Sequence, residues 1–303
     1  MADGPHQPLA WDPHQKLWNR RLTGAIRRRL GSGIPGQAAT ATVVGIDTLL
    51  LAARVEIRRR RRLRGVEAAA EGAPAVLYID CGLHKRAEQV RQMHDWFGGR
   101  FDLRIVGFEA SAAHMRDAEA ALAGIDGLEL HQVALVGPDF DEPTVKLYRS
   151  TGEGAGDSLF GERGEEFEHV PARRLTELLT AQGHEVTAQP VLLRMNIEGA
   201  EQFVISDLVA AGVTRSVDGY YGMWDDLSKI DPDADVSFRG TLKRERIFAV
   251  TFNDRDLIPH FLRTRAGGVS ARLAGWIFGL RRAVIKKDLE TSILVGLART
   301  ASR

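Results

Sequence analysis

Through the middle of the chain, short apolar runs alternate with longer amphipathic stretches. Ala75–Asp80 (AVLYID), Leu103–Glu109 (LRIVGFE) and Leu128–Val136 (LELHQVALV) are dense in branched and aromatic residues, the pattern of strands covered on both faces. Between them, His84–Phe97, closed by Gly98-Gly99, and Ala112–Ala123 carry helical spacing. A short extra strand is expected at 145–148, then a glycine-rich loop at 152–164 and a helix at Ala172–Ala181. Val191–Met195 is the next strand and Glu201–Ala211 the helix after it. Ser216–Met223 and Arg246–Asn253 (RIFAVTFN) are the last two strands; with little helix evident between them, an antiparallel edge pair is expected. Strands alternating with helices predict an α/β fold: a mostly parallel sheet of about seven strands, with helices on both faces and right-handed crossovers.

The two ends read differently. Residues 1–13 are polar and hold Pro5, Pro8 and Pro13. From His14 to Leu30, Leu17, Trp18, Leu22, Ile26 and Leu30 recur at helical spacing, and Gly31, Gly33, Pro35 and Gly36 break that helix. A second helix is expected from about Ala38 to Arg64. Another helical pattern covers Leu257 to Leu297, where Trp276, Ile277, Phe278 and Leu280 offer packing surface. The expected organisation is an Arg-rich helical extension at 1–70, a ligand-binding α/β domain at 71–256 and a helical extension at 257–303.

Composition adds little to this picture: 44% apolar, 27% charged and a net charge of +1 describe an ordinary soluble globular chain. A single cysteine, Cys81, excludes an intramolecular disulfide and suits a reducing cytoplasm. No basic segment followed by an apolar run marks the start as a secretory signal. Ala38–Val55 is short for a membrane span and carries Asp47. The charge is uneven, however, with seven arginines and one acid, Glu56, between Arg54 and Arg64. Cations at a helix carboxyl end complement its dipole, so a solvated helix end is the plain reading. The sharper one is peripheral contact with lipid headgroups or another acidic partner. No aromatic residue is interleaved with the run, which argues against nucleic acid.

Polar residues gather where strands are expected to end, the edge at which open α/β sheets bind ligands. The first strand ends Asp80-Cys81-Gly82; a glycine there lets backbone approach a ligand. Lys85 and Arg86 follow, expected to point outward. The second strand ends at Glu109, 29 residues beyond Asp80, where a carboxylate can accept both hydroxyl bonds of a ribose. After the fourth long strand comes Asn196-Ile197-Glu198-Gly199-Ala200-Glu201. Glu198 lies in the turn and is the candidate to orient or deprotonate a hydroxyl, whereas Glu201 can cap its own helix. Asn196 can hydrogen-bond but cannot act as a base. Tyr220, Tyr221, Trp224, Asp225 and Asp226 follow the fifth; Asp225 or Asp226 is a further candidate for the base. Cys81 reads as a small buried residue, and the nine histidines show no metal-ligand spacing.

The stretch 192–203, LLRMNIEGAEQF, resembles the "IDxEGAE" signature of the FkbM-type S-adenosylmethionine-dependent methyltransferases, with Asn196 where the family has aspartate. The resemblance covers roughly residues 73–253. It implies a Rossmann-like sheet that binds S-adenosylmethionine and methylates an oxygen of a sugar or specialised metabolite. It also implies a cofactor site drawn from Asp80, Gly82, Glu109, Ala134, Ser158 and Asn196, with Glu198, Asn196 and Asp225 facing the acceptor and no metal. Ala134 enters through His131–Leu135, similar to the family's third strand, and Ser158 through Asp157-Ser158-Leu159, similar to its short loop after a glycine-rich stretch. The family's second glycine after the first strand is missing. Together with Asn196 this leaves an alternative, a non-catalytic relative acting as a binding or scaffold protein. A nicotinamide oxidoreductase is disfavoured because no G-x-G-x-x-G follows the first strand.

Overall fold

The computed structural model describes residues 33–64, 74–149, 157–161, 166–222, 224, 226–250 and 269–302, with isolated positions between 22 and 31. The expected tail, most of the helix at His14–Leu30, most of the glycine-rich loop and Asp225 lie outside the described residues.

The strands and helices follow the expected alternation, although six strands rather than about seven form the main sheet. The chain opens with α1 (Ile34–Arg62), β1 (Ala75–Cys81), α2 (Glu88–Phe97), β2 (Asp102–Glu109), α3 (Ala112–Leu122) and β3 (Leu128–Gln132). An excursion of β4 (Ala134–Leu135), β5 (Thr144–Tyr148) and β6 (Phe167–Arg173) comes next. The chain then resumes with α4 (Leu175–Ala181), β7 (Val191–Met195), α5 (Glu201–Ala210) and β8 (Gly219–Gly222). It closes with α6 (Leu227–Ile230), α7 (Pro232–Glu245), β9 (Ala249–Val250) and α8 (Val269–Ala301).

The main sheet has six strands in the order β3-β2-β1-β7-β8-β9, and each neighbouring pair is parallel. The order reverses direction between β1 and β7, so the turns leaving those two strands diverge and leave a crevice at the sheet's carboxyl edge. Alternate residues of the strands feed two cores. Leu77, Ile79, Leu193 and Met195 face α4, α5 and α7, while Val76, Tyr78 and Leu192 face α2, α3 and α8. Ile285, Leu289 and Ile293 of α8 are buried in that second core, so the C-terminal helix is part of the sheet's cover.

Several expectations need correction. The last two strands are parallel because α6 and α7 intervene; Asp231 caps α7 through Asp233 N–H (3.1 Å) and Ala234 N–H (2.9 Å), with Pro232 in the first turn. The strand expected at Leu128–Val136 breaks at Val133, and Ala134–Leu135 join a second sheet of order β4-β6-β5. Its central strand β6 was missed because Pro171 and the polar residues around it hide the alternation of buried Val170 and Ala172. Helix α2 starts at Glu88 rather than His84, since His84 (φ 55°) and Ala87 (φ 42°) are left-handed and cannot belong to a right-handed helix.

Candidate functional site

A cavity of about 300 Å³ opens at the crevice between β1 and β7, at the lower end of the size of small-molecule sites. The β1 turn contributes Gly82 and His84, and the end of β2 contributes Phe108 and Glu109. Ala134 and Leu135 of β4 wall one side, and Asp157, Ser158 and Leu159 cover another. Asn196, Ile197 and Glu198 come from the turn after β7, and His114 from α3. Of the residues singled out for a cofactor, the cavity therefore gathers Gly82, Glu109, Ala134, Ser158 and Asn196. Glu198 also lines it; Asp80 does not, and Arg86, expected to point outward, lines the cavity and pairs with Glu88 (3.7 Å).

Asp80 is turned into the sheet. It faces Arg194 across the β1–β7 pair, and the two form a buried ion pair. Tyr78 Oη donates to the other carboxylate oxygen (2.9 Å). Burial pushes the Asp80 carboxyl up, and Arg194 and Tyr78 oppose it. Arg194 also donates to the Gly82 carbonyl (3.1 Å), so this acid supports the turn from beneath through the guanidinium. A charge in the middle of an apolar strand needs a partner. The arginine in LLRM, beside a strand whose only acid is Asp80, was the signal for this pair.

Gly82 has a structural reason to be glycine. Its φ is +91°, and a Cβ there would come within 2.3 Å of the Asn196 carbonyl oxygen. The backbone of the turn is committed to β2: Gly82 N–H donates to Phe108 O (2.9 Å), as does Leu83 N–H (3.3 Å). His84 N–H donates to Glu109 Oε2 (2.9 Å). Recognition at this edge consequently falls to side chains.

Glu109 holds that edge together. Its carboxylate accepts His84 N–H and, through Oε1, Ser111 N–H (3.0 Å), leaving lone pairs that face the cavity. Burial pushes its pKa up, partly offset by these two bonds. His114 Nδ1 stands 4.0 Å from Oε1, and the rings of His84 and His114 are 5.2 Å apart. Burial holds the His84 imidazole below the usual histidine range, so it is neutral near pH 7. Neither His84 nor His114 was singled out from the sequence. His84 lay inside an expected helix, and only its left-handed backbone turns it to the site.

The turn after β7 is clamped by Glu201. Its buried carboxylate accepts Ile197 N–H (2.8 Å) and Gly199 N–H (2.9 Å), and burial raises its pKa to about 7. It does not line the cavity. This clamp holds Glu198 at φ 55°, a strained conformation for a residue with a side chain. Ser158 Oγ donates to the Glu198 carbonyl (3.2 Å), and Ser158 pairs by backbone with Tyr148 (2.8 and 3.0 Å). The Asp157–Leu159 segment is thereby pinned over the site. Asn196 N–H donates to Cys81 O (2.9 Å), closing the β1–β7 seam.

The aromatic group of β8 and the turn after it belongs to the core. Tyr220 Oη donates to Thr214 O (2.7 Å), Tyr221 Oη to Asp288 (3.1 Å) and Trp224 Nε1 to Met195 O (3.0 Å), all buried. Burial pushes the Cys81 thiol up, which leaves it an unreactive packing group. Among the described residues no set of three histidine, cysteine or carboxylate side chains is placed to hold a metal ion. Two nitrogens at the cavity, His84 Nε2 and Arg194 Nε, are buried with no hydrogen-bond partner among the described residues. No protein-family model, curated protein or solved structure matches the chain.

Proposed function

We propose that this chain is an S-adenosylmethionine-dependent methyltransferase that methylates a hydroxyl of a small-molecule or sugar acceptor. The observation that carries the reading is Glu109 at the end of β2, facing a cavity at the β1/β7 switch point, where a carboxylate suits ribose hydroxyls. The donor set fits the cofactor's charge. Glu109, Asp157 and Glu198 line the cavity; of the cations there, Arg194 is neutralised by Asp80 and Arg86 is paired with Glu88, so a sulfonium cation meets a net acidic surround. Bound S-adenosylmethionine supplies a methyl carbon already activated for displacement. The chain has to exclude water, align the acceptor and accept its proton. Glu198, on its clamped turn, and neutral His84 are the groups to take that proton.

Titration calorimetry with S-adenosylmethionine tests the binding half: heat of binding is expected in wild type, and none at millimolar ligand would remove the reading. Glu198→Gln is expected to lower turnover at least tenfold, with little change in cofactor affinity. Wild-type turnover in that variant would transfer the role of base to His84.

A second reading, a binding protein without catalysis, has one observation in its favour. The backbone N–H groups of Gly82, Leu83 and His84 are consumed by β2, so the glycine turn does not present them to a ligand. Cofactor binding without methyl release in the presence of acceptors would select it.

A further inference from the structure

The arginine-rich helix is apolar on more than the side it buries. Helices α1 and α8 run parallel: Gly45 meets Ile277, Asp47 meets Arg281, Arg58 meets Asp288 and Arg62 meets Ser292. The side of α1 against α8 is polar as well as apolar. Asp47 Oδ2 accepts from Arg281 (2.9 Å), which also donates to Thr48 Oγ1 (3.0 Å), and Asp47, Thr48 and Arg281 are buried. Arg62 reaches Ser292 (2.9 Å) and the Asp218 carbonyl (2.6 Å). The outer side carries an apolar stripe of its own. Ile46 is 47% exposed, Leu49 55%, Leu50 42% and Ile57 52%. At 100° per residue they fall with Ala53 within one face, and Arg60 and Arg61 continue that face in the last turn, both exposed, Arg60 pairing with Glu56 (2.8 Å). A surface helix facing only water would carry polar side chains along that stripe.

We propose that the outer face of α1 docks on an anionic lipid bilayer. The apolar stripe supplies the part that enters the acyl boundary. The arginines at its end supply the cations that headgroup phosphates attract, and their long stems let the charge stay at the interface. The helix is long and apolar enough over Ala38–Arg62 to cross a bilayer. It lies on the surface instead, because its opposite side is packed on α8, whose own far side is packed on the sheet.

The test is co-sedimentation of the full chain with vesicles of phosphatidylcholine plus phosphatidylglycerol, against phosphatidylcholine alone. Binding to the anionic vesicles is expected, falling with added salt. Leu49→Glu/Leu50→Glu is expected to weaken it more than tenfold, since two leucines no longer leave water. Arg60→Gln/Arg61→Gln removes charge and no apolar surface, and is expected to cost about fivefold per arginine. Thermal melts within a degree or two of wild type would show both variants folded, as expected for exposed positions. No sedimentation with either vesicle, or equal sedimentation of the Leu49→Glu/Leu50→Glu chain, would overturn the proposal. So would a concentration-dependent dimer in light scattering that this variant abolishes, with vesicle binding unchanged, for the face would then belong to a second copy.

Discussion

Asp80 and Glu109 end neighbouring strands of one sheet, and the structure uses them in opposite ways. Asp80 is spent on Arg194 inside the β1–β7 pair, while Glu109 stands at a cavity wall with lone pairs to spare. Side-chain alternation decides this. Asp80 shares the face of Val76 and Tyr78, and the parallel register sets Arg194 opposite it. An acid at a strand's end is thus a candidate ligand group only when the next strand brings no cation to the same height.

Arg194→Met is the strongest way to break this comparison. It leaves Asp80 buried without its partner and is expected to cost about 3–5 kcal/mol in urea denaturation. A loss no larger than that of a surface substitution would show the pair to be dispensable. Next is the pH dependence set by Glu201, whose pKa is about 7 in the folded chain against the ordinary 4.5. The folded state holds the proton more tightly, so its contribution is fully present below about pH 4.5 and is lost as pH rises through 7, a span of roughly 3 kcal/mol. The difference in stability between wild type and Glu201→Gln should carry that slope; a flat difference from pH 4 to 8 would refute it. Gly82→Ala is expected to cost about 2 kcal/mol, from left-handed backbone strain and the close Asn196 carbonyl. The smallest effect sharpens the functional side. Glu109→Ala should weaken S-adenosylmethionine binding about tenfold, and more than Asp80→Asn, which acts on affinity only through Arg194 left without its counter-charge and costs mainly stability. The reverse order would exchange their roles.

The outer and inner helices teach a related lesson. The pattern of arginines at 54–64 suits a solvated helix end, yet Arg58 and Arg62 reach inward to α8 and to the edge of β8, and Arg299 of α8 pairs with Asp218 (2.9 Å). Only the packing of two segments more than 200 residues apart separates the inward arginines from Arg60, Arg61 and Arg64. The chain's ends, which looked like additions to the domain, share its charge network, and α8 its core.

What the sequence determined by itself is the alternation of strands and helices, the parallel sheet and the gathering of Glu109, Asn196 and Glu198 at one edge. Those follow from local periodicity and from turn residues, which act over a few positions. What only the tertiary structure decided is which polar groups meet. The inward turn of Asp80, the entry of His84 and His114 into the cavity, the Glu201 clamp and the parallel placement of β9 all depend on partners supplied by distant segments. Register, burial and left-handed backbone positions fix those meetings, and none of them is a property of a short stretch of chain.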